Sequence, residues 1–294
     1  MSHPAPISLS LPFVWRGRRL FAVPLRLEVC EAPLPAVLDG AARQLSEQAM
    51  PAGIDGLLLR DVVDEGWRTH AVHDDRIAYV LSRDVWLYLT CAGSYERFLE
   101  GRFSVKTRES FARDEARFVD EFGVGGGLDL RAYRGPAQLA EFRRQVAALG
   151  AAGNGPESVP GDAADARAFV LFARGEAVAW VCLLAVGEVL HYAGSGEREN
   201  FRQWSAGSIV QRHAFGCLFA DPAFRYVDFR PGESELKRQF ANGAVRSAVV
   251  LHLRRSLRNR VLLAAHAFLQ RRGAGAGGAP EASDGLRAPF AARG

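Results

Sequence analysis

The stretch from Tyr226 to Phe240, YVDFRPGESELKRQF, constrains this chain more than any other. A short run of β-branched and aromatic residues ends on Asp228, turns through Pro231 and Gly232, and continues as a charged helical segment carrying Lys237. An acid at the carboxyl end of a strand, beside a helix start, is where open α/β sheets gather ligand chemistry. The residues before it narrow the topology. Apolar runs broken by Gly-Glu turns at Gly175 and Gly187 lead into Ser205-Ala-Gly-Ser208, which opens an amphipathic helix. The resulting order is strand, strand, strand, helix, strand, helix, strand.

The rest of the chain is read by periodicity. Residues 17–29 read as a hairpin-like pair of strands, 36–47 as a helix, and 54–62 and 77–80 as strand pieces. Residues 84–100 follow, with Trp86, Tyr88, Tyr95 and Phe98 giving a buried face. Phe111, Phe118, Val119 and Phe122 share one helical stripe, which Gly125-Gly-Gly127 ends. Alternation over 128–133 predicts a strand, and 136–149 a helix with Pro136 in its first turn. Residues 150–165 have no periodicity and read as a loop. Strands are predicted over 168–173, 177–185, 189–193 and 244–251. Ser205 or Ser208 caps a helix that turns Ile209, Val210, Ala214, Cys217 and Leu218 inward. A basic helix over 253–272 precedes a Gly/Ala/Pro-rich tail, 273–294, expected to be disordered.

Composition excludes several classes. With 294 residues and 48% apolar content the chain is long enough for one large core or two modest ones. A net charge of +4 suits anionic small partners but is too mild to predict nucleic-acid binding. Cys30, Cys91, Cys182 and Cys217 form no CxxC pair, so free thiols in a reducing compartment are expected, and no metal site. The apolar stretch from Ile7 is cut by Pro12 and lacks a basic leader, so no secretory signal is read and a cytoplasmic location is expected.

Residues 103–250 give helix, strand, helix, three antiparallel strands, helix, strand, helix, strand. This order resembles the Gcn5-related N-acetyltransferase (GNAT) superfamily, in particular the bacterial branch found in cellulose and exopolysaccharide biosynthesis and related to the FemAB transferases. The matching pieces are Phe103-Ser-Val-Lys-Thr-Arg108 with Arg113, Ser205-Ala-Gly207, and Asp228-Phe-Arg-Pro-Gly-Glu233 followed by Lys237 and Phe240. The resemblance implies an α/β fold with a mixed, mostly antiparallel twisted sheet flanked by helices. It places a smaller α/β region over 1–100, a degenerate half of the same kind, and the acyltransferase domain over 101–272. It implies direct acyl transfer from acetyl-CoA or another acyl-CoA to an amine or hydroxyl of a sugar or cell-envelope precursor.

The resemblance also implies site residues. Asp228 acts as base or orients Lys237, which stabilises an oxyanion or grips a phosphate. Leu236 stands where relatives carry a tyrosine or histidine, so the thiolate's acid falls to Tyr192 or Tyr226. Backbone donors at Ala193 and Gly194 meet the pantetheine arm where two strands splay. Ser205, Gly207 and Ser208 offer the pyrophosphate a helix N-terminus, although Ala206 stands where the superfamily's first loop glycine belongs. Lys106, Arg108, Arg113 and Glu233 hold the acceptor.

Ordinary structural readings stand beside these. Asp228 caps its turn, Lys237 and the cations from Lys106 to Arg113 are wet helix faces, and Gly207 serves packing. A degenerate, non-catalytic scaffold and a FemAB-like aminoacyl-tRNA-dependent transferase remain alternatives. The basic helix docks its apolar stripe on its own domain, or lies on an anionic membrane.

Overall fold

The computed structural model describes residues 6–16, 18–40, 49–64, 66–147, 149, 165–231 and 235–273. In chain order the strands are β1 (Ile7–Trp15), β2 (Arg18–Glu31), β3 (Gly56–Val63), β4 (His70–Val72), β5 (Arg76–Thr90), β6 (Asp129–Arg134), β7 (Ala166–Ala173), β8 (Glu176–Val186), β9 (Val189–Glu197), β10 (Tyr226–Pro231) and β11 (Gly243–Arg254). The helices are α1 (Leu34–Leu38), α2 (Tyr95–Arg102), α3 (Val105–Phe122), α4 (Gly135–Ala147), α5 (Ala206–Phe219), α6 (Glu235–Phe240) and α7 (Leu257–Gly273), with a 3₁₀ turn at Glu199–Trp204. This is the mixed, mostly antiparallel, helix-flanked architecture expected of a GNAT-like fold.

Two compact units partition the chain, and their boundaries differ from the sequence-based ones. Among the described residues, the first unit runs up to Trp86 and takes up again from Val245 to Gly273. The reason is long-range pairing: β11 runs antiparallel to β3, with His252 opposite Leu57 and Ser247 opposite Val63. Strand order here is β1, β2, β3, β11, β5, with β4 on β5. The predicted hairpin over 17–29 is instead one strand, β2, whose antiparallel partner is β1. Pro12 is tolerated in β1 because that strand is an edge, where a missing donor breaks no inner ladder.

Period-two alternation sends β11 side chains to two cores. Val249, Leu251 and Leu253 join Leu11, Phe13 and Leu263 of α7 on one face. Ala248 and Val250 join Leu57, Leu59, Val62 and Val80 on the other. Of the apolar stripe expected over Leu253, Leu257, Val261, Leu262, Ala265, Phe268 and Leu269, Leu253 is buried in β11, and Leu262 and Leu269 of α7 pack on the first of these cores. Leu263 and His266 are buried, while Leu257, Val261 and Phe268 are exposed.

The second unit orders its strands β10, β9, β8, β7, β6. β7 and β8 are nearly continuous apolar runs, as strands covered on both faces must be. Leu139, Phe142 and Val146 of α4 pack one face with Trp180, Val170 and Phe172. α5 covers β7, β8 and β9 with Ile209, Val210, Ala214, Phe215 and Leu218. Cys217, expected inward, is exposed, and Phe215 fills the inner face instead. The predicted loop over 150–165 lies outside the described residues save for Asp165, and the tail after Gly273 lies outside them entirely.

Candidate active site

Parallel strands need a crossover, and α5 supplies the one between β9 and β10. Their ladder is short. Tyr226 pairs with Val189, Val227 with Leu190 and Asp228 with His191, and there the pairing ends while β9 runs on to Glu197. From Tyr192 onward, β9 is paired through β8, where a register shift between Cys182 and Leu183 leaves Ala193 as the extra residue of a bulge. The two strands therefore part beside the predicted backbone donors, Ala193 and Gly194.

Asp228 sits at this fork, fully buried. A buried carboxylate must be paired, and this one is. Its Oδ2 lies 2.8 Å from His191 Nδ1, and its Oδ1 accepts from the Arg230 amide at 2.6 Å. Arg230 takes a left-handed backbone conformation, φ 62°, which turns the chain off the sheet. Lys237 Nζ donates to the carbonyl of the same Arg230, at 3.3 Å. The acid and the lysine thus hold two sides of the same turn. Glu233 lies outside the described residues.

Tyr192 follows His191, and its phenol oxygen accepts from Gln211 Nε2 at 3.1 Å. Gln211 belongs to α5, is buried, and also reaches Ser195 Oγ at 3.4 Å. Burial pushes the Tyr192 phenol up to about 12, only partly offset by Ser195 and Gln211.

The start of α5 differs from the expected open anion nest. Ser205 is left-handed, φ 55°, and does not cap the helix. Its hydroxyl donates to Asp114 of α3 at 3.2 Å. Ser208 Oγ accepts from Arg212 at 2.9 Å. The Gly207 amide donates to Glu197 Oε2 at 2.9 Å. A Cβ at Gly207 would sit 2.8 Å from that oxygen, so a side chain there would push the Glu197 carboxylate aside. The helix N-terminus does hold an anion, and the anion is the chain's own carboxylate. Arg202 Nε stands 3.6 Å from the other oxygen of Glu197.

The cations of α3 do not form one clamp. Lys106 and Arg113 are exposed, Arg113 within 3.9 Å of Glu109, while Arg108 lies on another face near Glu100 at 4.0 Å. Glu115 also joins α3 to α5, 3.0 Å from His213 and 3.6 Å from Arg212. Those partners, His213 first, hold its carboxyl below the ordinary range.

His191, Glu197 and Gln211 were not assigned from sequence. His191 gains meaning only in register with a residue 37 positions away. Among the described residues no cluster of three or more His, Cys, Asp or Glu side chains is placed to hold a metal ion.

A forked parallel pair with a bulge, and a helix starting beside it, is consistent with a GNAT-like fold. The model of the acetyltransferase (GNAT) domain matches residues 157–238, which span β7 to α6. No curated protein matches the chain. Among solved structures, FemX is similar at 10% identity, covering 88% of this chain and 90% of its own, with a TM-score of 0.49. The C-terminal domain of a putative lysylphosphatidylglycerol synthetase from Agrobacterium fabrum is similar at 11% identity, covering 83% and 81%, with a TM-score of 0.48. A GCN5-related N-acetyltransferase from Kribbella flavida is similar at 14% identity, covering 87% and 92%, with a TM-score of 0.36.

Proposed function

We propose that the chain transfers an acyl group directly from an acyl-CoA thioester to an amine or hydroxyl of a sugar or cell-envelope precursor. The observation that carries the reading is the fork: β9 and β10 part immediately after His191–Asp228. Asp228 fixes Nδ1 of the imidazole, which leaves Nε2 as the proton-accepting atom. The acceptor's N or O attacks the thioester carbonyl carbon as its proton passes to His191. The tetrahedral oxyanion meets backbone N–H groups of the bulged β9 edge. It collapses as the C–S bond breaks, and the imidazolium returns the proton to the sulfur. The balance closes without a covalent enzyme intermediate. Tyr192 is given a positioning role instead of the acid's, because a phenol near 12 is poorly matched to a thiolate of ordinary pKa ~8.5.

The residues around α5 fit an anionic co-substrate with one condition. A pyrophosphate reaches the Gly207 amide only by displacing the Glu197 carboxylate, which Arg202 is placed to receive. Acyl-CoA supplies the activated thioester; the chain supplies the amide, the glycine and the proton relay. Isothermal titration with acetyl-CoA tests the reading. Saturable binding weakened by substitution at Gly207 supports it, and no heat up to millimolar ligand sinks it.

A second proposal concerns α7. Its exposed Leu257, Val261 and Phe268 are flanked by exposed Arg258, Arg260, Arg271 and Arg272. An apolar strip edged by arginines is complementary to an anionic lipid surface. Among the described residues no helix is long and apolar enough to cross a membrane. Co-sedimentation with phosphatidylglycerol vesicles should be salt-sensitive and weakened by Val261→Asp; equal binding to neutral vesicles would refute it.

A further inference from the structure

In the first unit, the core-facing series of β2 runs past its cover. Phe21 lies opposite Phe13 of β1 as Leu25 lies opposite Leu9, so both pairs point to one face of the sheet. Phe13 is 1% exposed and its ring meets His266 of α7 at 5.3 Å, which makes this the face that α7 covers. Phe21 stacks on Phe13 with centroids 4.5 Å apart, yet it is 53% exposed. The cover stops between them.

Two more apolar side chains gather at this end of the strands. Val14 pairs with Arg19 while Phe13 pairs with Phe21, so Leu20 is the extra residue of a bulge, and it is 55% exposed. Trp15, two residues past Phe13 on the same face, is half-buried. Apolar residues exposed singly need no explanation. A group of them at one tip does.

The charge around the tip has one sign. Arg16, Arg18 and Arg19 are exposed, and the Arg16 guanidinium lies 5.8 Å from the Trp15 ring centroid. Residues 7–27 contain four arginines and no Asp or Glu. Residues 254–273, which include α7, contain six arginines and again no acid. Since α7 packs on β1, two acid-free stretches meet. An acidic protein or a nucleic acid would pair with the arginines but hold Leu20 and Phe21 against polar atoms. An anionic bilayer meets both: phosphates take the guanidiniums, acyl chains take the apolar side chains, and an indole suits the headgroup level between them.

We propose that the β1–β2 tip inserts into an anionic lipid bilayer, with Leu20 and Phe21 below the headgroups and Arg16, Arg18 and Arg19 on the phosphates. This extends the lipid reading of α7 to a second element, and it stands whether or not the chain transfers acyl groups. The test is co-sedimentation of the full chain with phosphatidylcholine vesicles, with and without phosphatidylglycerol. Binding should need phosphatidylglycerol and weaken with added salt. Leu20→Ser with Phe21→Ser, and Arg18→Ala with Arg19→Ala, should each weaken it about tenfold or more. The alanine pair changes only exposed side chains, so it decides the matter if thermal unfolding shows the serine pair to be misfolded. Both double variants binding as tightly as the wild type, equal binding to pure phosphatidylcholine, or preference for poly(uridylic acid) over vesicles would each overturn the proposal. Val261→Asp separates the two elements. Loss there with the tip variants intact refutes the tip alone; loss in the tip variants with Val261→Asp intact supports the tip alone.

Discussion

His191 and His252 both sit on strands with their rings largely out of water, 18% and 2% exposed. Their surroundings differ. The His191 imidazole has a carboxylate at 2.8 Å that fixes its orientation, whereas His252 has no partner at either nitrogen among the described residues. A carboxylate beside an imidazole stabilises the cation formed when the ring accepts a proton; burial, with the Arg76 cation nearby, penalises it at His252. The first arrangement suits proton transfer, and the second keeps its ring neutral.

The largest expected effect breaks the His191–Asp228 pair. His191→Ala or Asp228→Asn should lower turnover by ~10²–10⁴, the usual contribution of a positioned base, read as thiol release from acetyl-CoA with an amino-sugar acceptor. Loss smaller than about threefold in both variants would remove this pair from the chemistry.

The second effect sharpens the contrast at His252. Its folded pKa, about 4, lies below the ordinary 6.5, so the unfolded chain binds the proton more tightly. The stability this group provides is complete above about pH 6.5 and is lost as pH falls toward 4, reaching about 3 kcal/mol. Denaturant unfolding curves near pH 7 and near pH 5 should show this. In His252→Phe the slope should shrink but not vanish, because burial lowers His266 in the same direction. Parallel slopes in the two proteins would show that the ring is not held neutral.

Lys237→Ala comes third. Its contact is to the Arg230 carbonyl, so turnover should fall about tenfold while stability changes by about half a kcal/mol. Unchanged kinetics would return this lysine to the solvent-facing role. The smallest effect is at α5. Glu197→Gln removes the internal anion's charge and should tighten acetyl-CoA by roughly threefold to tenfold in titration, in keeping with helix-terminus energies of ~1 kcal/mol. Weaker binding would make Glu197 a ligand group rather than a competitor.

Legibility followed locality. β7, β8 and β9 were readable because apolar runs between glycine turns carry their own boundaries. β5 was read only in part, since Ser82, Arg83 and Asp84 interrupt its alternation within a 15-residue strand. The return of β11 to β3 could not be read, because pairing His252 with Leu57 leaves no mark near either residue. In the site, Asp228 and Lys237 stood out because strand end, turn and helix start are contiguous. His191 and Glu197 did not, since each matters through a partner brought in by folding. The start of α5 was read as an open nest for a pyrophosphate; that the Glu197 carboxylate, from the end of β9, meets the Gly207 amide is a tertiary fact.

Gly56 faces the backbone of His252 across the β3–β11 ladder, and a Cβ there would collide with the His252 carbonyl oxygen. A residue with no side chain thereby acts as a spacer gauge between the two strands. Replacing it even with alanine would force β3 and β11 apart and lift the imidazole from its buried seat.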